Sequence, residues 1–185
     1  MVLLRSKLIA SDMRDDPAYG ARRRALTAQP AQIDPAMSVR ESLAAIAQAC
    51  GATTEMCDDL TDIDYGAWQF KTYDQAKRDD PALFAAWFAT PHLVRFPDGE
   101  TLQELAARAA NVMRLMLARH IEQTVVLVGH DSVNRTLLLQ LLDLPLSSYW
   151  RLAQSPCCLN EIDIADGRVC IQRINETHHL EGIAA

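Results

Sequence analysis

The stretch Val125-Val-Leu-Val-Gly129-His130-Asp131-Ser132-Val133-Asn134-Arg135 carries the clearest chemistry in the chain. An apolar, β-branched run from Thr124 to Val128 reads as a strand buried on both faces. It ends at Gly129, and His130 follows at its carboxyl end, where open α/β sheets bind ligands. A helical pattern then begins, with Ser132 placed to cap it. The free N–H groups and positive dipole end of such a helix favour an anion. An imidazole beside an anion site suits phosphate. From strand-end position alone, however, a histidine that only packs locally explains the pattern equally well.

Flanking elements must hold this turn. Leu43, Ile46 and Ala47 recur at helical spacing until Gly51 ends the run as a C-cap. Thr53 to Cys57 reads as a short strand, and Leu60 to Gly66 as a loop with a fixed turn. Lys71–Asp79 and Pro81–Ala89 read as two short helices, the second presenting Phe84, Trp87 and Phe88. Phe96 to Glu100 is a turn. Thr101 then starts a long helix, with Glu104 at capping-box spacing and an apolar stripe through Leu102, Leu105, Ala109, Val112, Met113, Met116 and Leu117. A second helix runs from about Ser132 to Leu142. The chain closes on a hairpin around Ala165-Asp166-Gly167. This order predicts an α/β fold: a three-layer α/β/α architecture with a mostly parallel central sheet and helices on both faces.

The totals bound the function. At 185 residues, 49% hydrophobic and 23% charged, the chain suits one globular domain. A net charge of −6 argues against a nucleic-acid partner. No apolar run is long enough to span a membrane, and the N-terminus lacks signal-peptide order. Five cysteines without a C-x-x-C pair read as reduced thiols, so a cytoplasmic location is expected. Residues 1–40 hold seven Lys/Arg against four Asp, which leaves −9 for the rest. That imbalance, with Pro17, Gly20, Pro30 and no sustained period, marks residues 1–33 as an atypical, partly ordered segment before a domain over 34–185.

Three segments resemble the histidine phosphatase superfamily, the phosphoglycerate-mutase-like proteins, in the right order. Leu60-Thr-Asp62-Ile-Asp-Tyr65-Gly66-Ala-Trp68 is similar to its L-x-E-x-x-[FY]-G-x-W element. Pro97-Asp-Gly99-Glu100-Thr101 is similar to its P-x-G-E-[ST] element. Gly129-His130-Asp131 is similar to its second-histidine strand end. The resemblance covers about residues 34 to 181. It implies phosphoryl transfer from small phosphomonoesters through a phosphohistidine, with no metal and no cofactor. It makes His130 the second catalytic histidine and Asp62 the counterpart of the family's proton-donating acid, one methylene shorter than the usual Glu. Glu100 belongs to the pocket rim or caps the helix entry. Arg5, Asp131 and Ser132 are the positions expected to meet phosphate. The implied partner is a small phosphorylated molecule, with a homodimer left open.

The chain departs from that pattern at its start. There is no R-H-G motif; the histidines are His92, His120, His130, His178 and His179. Either Val2-Leu3-Leu4 is the first strand, with Arg5-Ser6-Lys7 where R-H-G should stand, or the first strand is absent, as an altered start or frameshift would leave it. Asp34 and Ser38 stand where the resemblance implies a serine and a phosphate-holding arginine. Arg135 reads as a surface contact, and Tyr149-Trp150 as a packing cluster near the site. Three functions stay open: a weak or inactive phosphatase or mutase, a non-catalytic phospho-ligand-binding or scaffold protein on the same fold, and a truncated form of an active enzyme.

Overall fold

Local chemistry sets the helix ends. Structural information comes from a computed structural model that describes residues 2–7 and 39–181. The expectations placed on Asp34 and Ser38, and on most of the N-terminal segment, lie outside the described residues. In chain order the elements are β1 (Val2–Lys7), α1 (Val39–Cys50), α2 (Tyr73–Asp79), α3 (Pro81–Ala89), α4 (Leu102–Arg119), β2 (Thr124–Leu127), α5 (Asp131–Leu141), β3 (Leu159–Ala165) and β4 (Arg168–Glu176). Helix α1 ends as its sequence predicts: Gly51 takes φ +61° and the Ala52 N–H bonds back to the Ala47 carbonyl. Thr72 and Gln75 form a capping box at α2, and Asp80 caps α3 with Pro81 in its first turn.

The chain divides into two compact units. One comprises Met1–Cys57, Arg119–Gly129 and Ser155–Ala185; the other comprises Asp58–Ala118 and His130–Gln154. The first holds a four-stranded sheet in the order β2-β1-β3-β4. The expectation of a mostly parallel sheet is corrected here. Of the three pairings among the described strands, only β1–β3 is parallel; β1–β2 and β3–β4 are antiparallel. A second correction concerns β2, whose burial reaches only Leu127 while Thr124 is exposed. The physical reason is its place at the edge of the sheet, with one neighbour instead of two. The strand expected over Thr53–Cys57 does not form; that stretch is irregular. Val2–Lys7 is a strand, hydrogen-bonded to β2 on one side and to β3 on the other.

The second unit contains α2 to α5. The apolar stripe of α4 is buried at Leu102, Leu105, Ala109, Val112 and Met113, and α5 buries Val133, Leu137, Leu138 and Leu139. The Gln140 amide of α5 donates to the Ala106 carbonyl of α4 at 2.8 Å. Phe96 is nearly fully buried, with the rings of Tyr65, Trp68 and Trp87 within 5.0–5.3 Å. Phe84 and Phe88 share the expected face with Trp87, but Phe88 stays 39% exposed.

Helix α4 opens on the predicted capping box. The Glu104 carboxylate accepts from the Thr101 N–H and hydroxyl, and the Thr101 hydroxyl accepts from the Glu104 N–H. The Arg95 guanidinium, followed by the two Thr101 donors, lowers the Glu104 carboxyl from its ordinary 4.5 to about 2. A depressed carboxyl stabilises the fold above its unfolded value and loses that contribution as pH falls through its folded value. Acid unfolding of Glu104→Gln should therefore show a flatter stability slope between pH 4.5 and 2 than the wild type. An unchanged slope would remove Glu104 from the account.

Candidate functional site

The Leu60–Gly66 loop and the Phe96–Glu100 turn are joined backbone to backbone. The Ala67 N–H donates to the Pro97 carbonyl, and the Glu100 N–H to the Asp64 carbonyl, both at 2.8 Å. Two glycines make this approach feasible. A Cβ on Gly66, which sits at φ +50°, would lie 2.1 Å from the Pro97 oxygen; one on Gly99 would lie 2.5 Å from the Asp64 oxygen. The glycines of both resemblance motifs therefore have a shared physical reason: they are the contact between the two loops.

Glu100, expected at the pocket rim or helix entry, ties this loop pair to α4. Its Oε2 accepts from the Asp64 N–H at 3.0 Å. Its two oxygens also take a bidentate pair from Arg108, Nε to Oε1 and Nη2 to Oε2, each at 2.9 Å. Burial pushes the Glu100 carboxyl up, but the bonds from Arg108 and Asp64 outweigh it, so the net shift is downward. Arg108 also donates to three carbonyls of the loop: Asp59 at 2.8 Å, Thr61 at 2.6 Å and Asp62 at 2.8 Å. The sequence reading passed over Arg108. A signal was present, since Arg108 lies three residues after Leu105 and four before Val112, inside the apolar stripe.

His130 and Asp62 come together. His130 precedes α5 in extended conformation and forms its N-cap position. Its Nδ1 lies 3.6 Å from Asp62 Oδ2, and both side chains are partly open to solvent. Asp62 Oδ1 accepts the Ser132 hydroxyl and, at 2.9 Å, the Ile63 N–H. Ser132 is thus not the helix cap expected from sequence. It is the second residue of α5, fully buried, with its hydroxyl committed to Asp62. Serine, histidine and aspartate meet here, yet the hydroxyl bonds the acid and not the imidazole, so this is no nucleophilic triad. What the pair can do is present a half-open imidazole, backed by a carboxylate, to an anionic ligand or a proton acceptor.

Asp131, expected at the phosphate, has its carboxylate on Arg135 Nη1 at 2.6 Å. Arg135 is itself a correction. It is buried, not a surface contact: its Nε donates to the Leu152 carbonyl at 2.8 Å, and its guanidinium carbon lies 5.3 Å from the Tyr149 ring centre and 4.9 Å from that of Trp150. The Tyr149-Trp150 pair is the aromatic cluster the sequence suggested, anchored by the Trp150 indole N–H on the Trp87 carbonyl. Burial, then the neighbouring Tyr149, Asp62 and Asp131, raise the Tyr65 hydroxyl far above its ordinary value; burial and then Asp131 do the same for Tyr149. Both phenols stay protonated at neutral pH and remain donors.

Arg5 lies in β1 of the first unit, where its register partners are Thr124, the first residue of β2, and Asp163 of β3. Because β1 runs antiparallel to β2, Arg5-Ser6-Lys7 stands at the end of β2 remote from Gly129, whereas Val2 pairs with Leu127. Among the described residues no three His, Cys, Asp or Glu side chains gather as a metal site. His178 and His179 diverge, the first to Glu181 and the second to the Cys157 carbonyl. No described helix is long and apolar enough to cross a membrane.

Comparison with known proteins bears on this arrangement. The sequence model of the histidine phosphatase superfamily (branch 1) matches residues 36–177. Phosphoserine phosphatase 1 of Hydrogenobacter thermophilus is 30% identical over 123 residues, 66% of this chain and 58% of that protein. The adenosylcobalamin/alpha-ribazole phosphatase of Salmonella typhimurium is 24% identical over 117 residues, 63% of this chain and 58% of that protein. The match thus spans less than two thirds of either relative. Among solved structures, Bacillus stearothermophilus YhfR aligns with a TM-score of 0.76 at 20% identity, covering 97% of this chain and 98% of that one. The mycobacterial glucosyl-3-phosphoglycerate phosphatase Rv2419c aligns at 0.69 and 17% identity, covering 95% and 97%. At such identities the structural likeness speaks to fold.

Proposed function

Because the chain belongs to the histidine phosphatase superfamily, we propose that its site at His130 and Asp62 binds small phosphomonoesters and that this chain turns them over slowly. The observation that carries the reading is the His130–Asp62 pair at the start of α5, 3.6 Å apart, in a chain whose matched relatives include phosphatases. Protonated His130 supplies a cation for a phosphoryl oxygen. The first turn of α5 adds backbone N–H donors and a favourable dipole. The protonated phenols of Tyr65 and Tyr149 are further donors near the same carboxylates.

Slow turnover follows from what the sequence lacks. No R-H-G histidine stands among the 185 residues, and Ser132, the hydroxyl nearest the pair, is committed to Asp62. Losing one member of a cooperating catalytic set removes most of the rate, while binding by the remaining members persists. This favours a phospho-ligand-binding role over efficient hydrolysis.

The test pairs binding with turnover. Inorganic phosphate and p-nitrophenyl phosphate should bind saturably, with little p-nitrophenol released at pH 5 to 8. His130→Ala should weaken binding by about tenfold or more, the loss of one charge-assisted hydrogen bond. Binding unchanged by His130→Ala would discard the site. Rapid turnover abolished by His130→Ala would overturn the slow-turnover reading and require another nucleophile.

A further inference from the structure

We propose that Arg108 is a positioning residue for His130: its guanidinium fixes the Asp59–Asp62 loop so that the Asp62 carboxylate faces Nδ1, leaving Nε2 as the imidazole nitrogen presented to ligand. The inference rests on the proposed site and names what keeps that site in register.

The argument is geometric. Arg108 bonds the Asp59, Thr61 and Asp62 carbonyls while its other edge is clamped by both Glu100 oxygens. Glu100 in turn holds the Asp64 N–H, two residues beyond Asp62. The backbone around Asp62 is therefore pinned before and after the residue. Its side chain is pinned as well, because Oδ1 takes the Ser132 hydroxyl and the Ile63 N–H. The remaining oxygen, Oδ2, lies on the side of His130, 3.6 Å from Nδ1, at ion-pair distance. A carboxylate facing Nδ1 favours a ring proton there in the neutral form, so Nε2 is the outward nitrogen, the one that donates to a phosphoryl oxygen once the ring is protonated.

Charge does not explain the arrangement. Glu100 cancels Arg108 locally, so Arg108 adds little net field at His130. What matters is the fork: a planar guanidinium reaches five acceptors, whereas a lysine ammonium has three donors on one atom and cannot span them. Displacing a catalytic group by about 1 Å can cost ~10²-fold in rate, so a loop this close to His130 needs such a brace. The plainer account is that Arg108 only staples a loop to α4 for stability, with no bearing on the imidazole.

The tautomer separates the two. Protein labelled with 15N-histidine, held at a pH where His130 is neutral, reports which ring nitrogen carries the proton. Wild type should show Nδ1–H at His130. Asp62→Ala should move it toward the Nε2–H form that a free histidine side chain favours, and Arg108→Lys, which keeps the charge, should move it the same way. A lower Tm for Arg108→Lys with the wild-type tautomer would overturn the positioning role and leave the site reading standing. If Asp62→Ala leaves the tautomer unchanged, the Asp62–His130 pairing fails, and the positioning role with it. Should Arg108→Lys not fold, Glu100→Gln, which frees one edge of the guanidinium, should give a smaller shift in the same direction; no shift there also overturns the proposal.

Discussion

Gly66→Ala is expected to lower stability by about 3–5 kcal/mol, a large fraction of the roughly 5–15 kcal/mol that holds a domain folded. Two effects add. An alanine at φ +50° is in left-handed backbone, at a cost of about 1–2 kcal/mol. Its Cβ would also lie 2.1 Å from the Pro97 oxygen, 2.6 Å from the Asp98 carbonyl carbon and 2.6 Å from the Gly99 nitrogen. All three are backbone atoms, so no side chain can swing away. The loops must separate, losing the Ala67–Pro97 and Glu100–Asp64 bonds at about 1 kcal/mol each. Gly51 supplies the control. It has a similar φ of +61° with nothing within 4 Å of an added Cβ, so Gly51→Ala should cost only the backbone share of about 1–2 kcal/mol. Urea unfolding of the two variants checks the difference; equal losses would mean that the loop contact contributes nothing.

That loop contact was partly legible in the sequence. Gly66 and Gly99 stood out within their motifs, and turns were expected at both. That they meet each other was not, because local patterns do not encode a contact across more than thirty residues. The capping box at Thr101 and Glu104, the C-cap at Gly51 and the hairpin after Ala165 were read correctly, since each depends on neighbours a few residues apart. Sheet direction could not be read this way. Val2-Leu3-Leu4 and Val125-Val126-Leu127 are apolar whichever way a strand runs, so the antiparallel β1–β2 pairing left no trace in composition.

The candidate site divides similarly. His130 was legible because three local signals coincide: an apolar run, a glycine and the start of a helix. Asp62 came through motif resemblance, and the structure sets it beside His130. Buried Arg135 and half-buried Arg108 were missed for one reason. Arg108 and Arg135 are charged, and a charge on an amphipathic helix is usually read as solvent-facing. Their spacing said otherwise: Arg108 lies between Leu105 and Val112 in the stripe, and Arg135 stands three and four residues before Leu138 and Leu139, both fully buried. A cation inside an apolar face must find partners there, and each did.

Arg135 therefore gives the second large effect. Arg135→Ala should cost about 2–4 kcal/mol. The Leu152 carbonyl loses its Nε donor, which leaves a partly buried acceptor unpaired. The Tyr149 and Trp150 rings lose the cation between them, worth about 1–2 kcal/mol where it is shielded from water. Asp131 loses its 2.6 Å partner, but its side chain is 51% exposed, so water offsets much of that loss. The remaining deficit is the space left by a long side chain in a packed region. Arg135→Lys should recover part of it: the charge and stem remain, while the Nε bond and the planar stacking go. The fluorescence of Trp150 gives a local readout, because its ring would lose the guanidinium 4.9 Å away in both variants. If urea unfolding ranks the proteins wild type, then Lys, then Ala, with the spectral change common to both variants, Arg135 acts through its planar fork as well as its charge. Equal stability of the Lys variant and the wild type would instead reduce its role to charge alone.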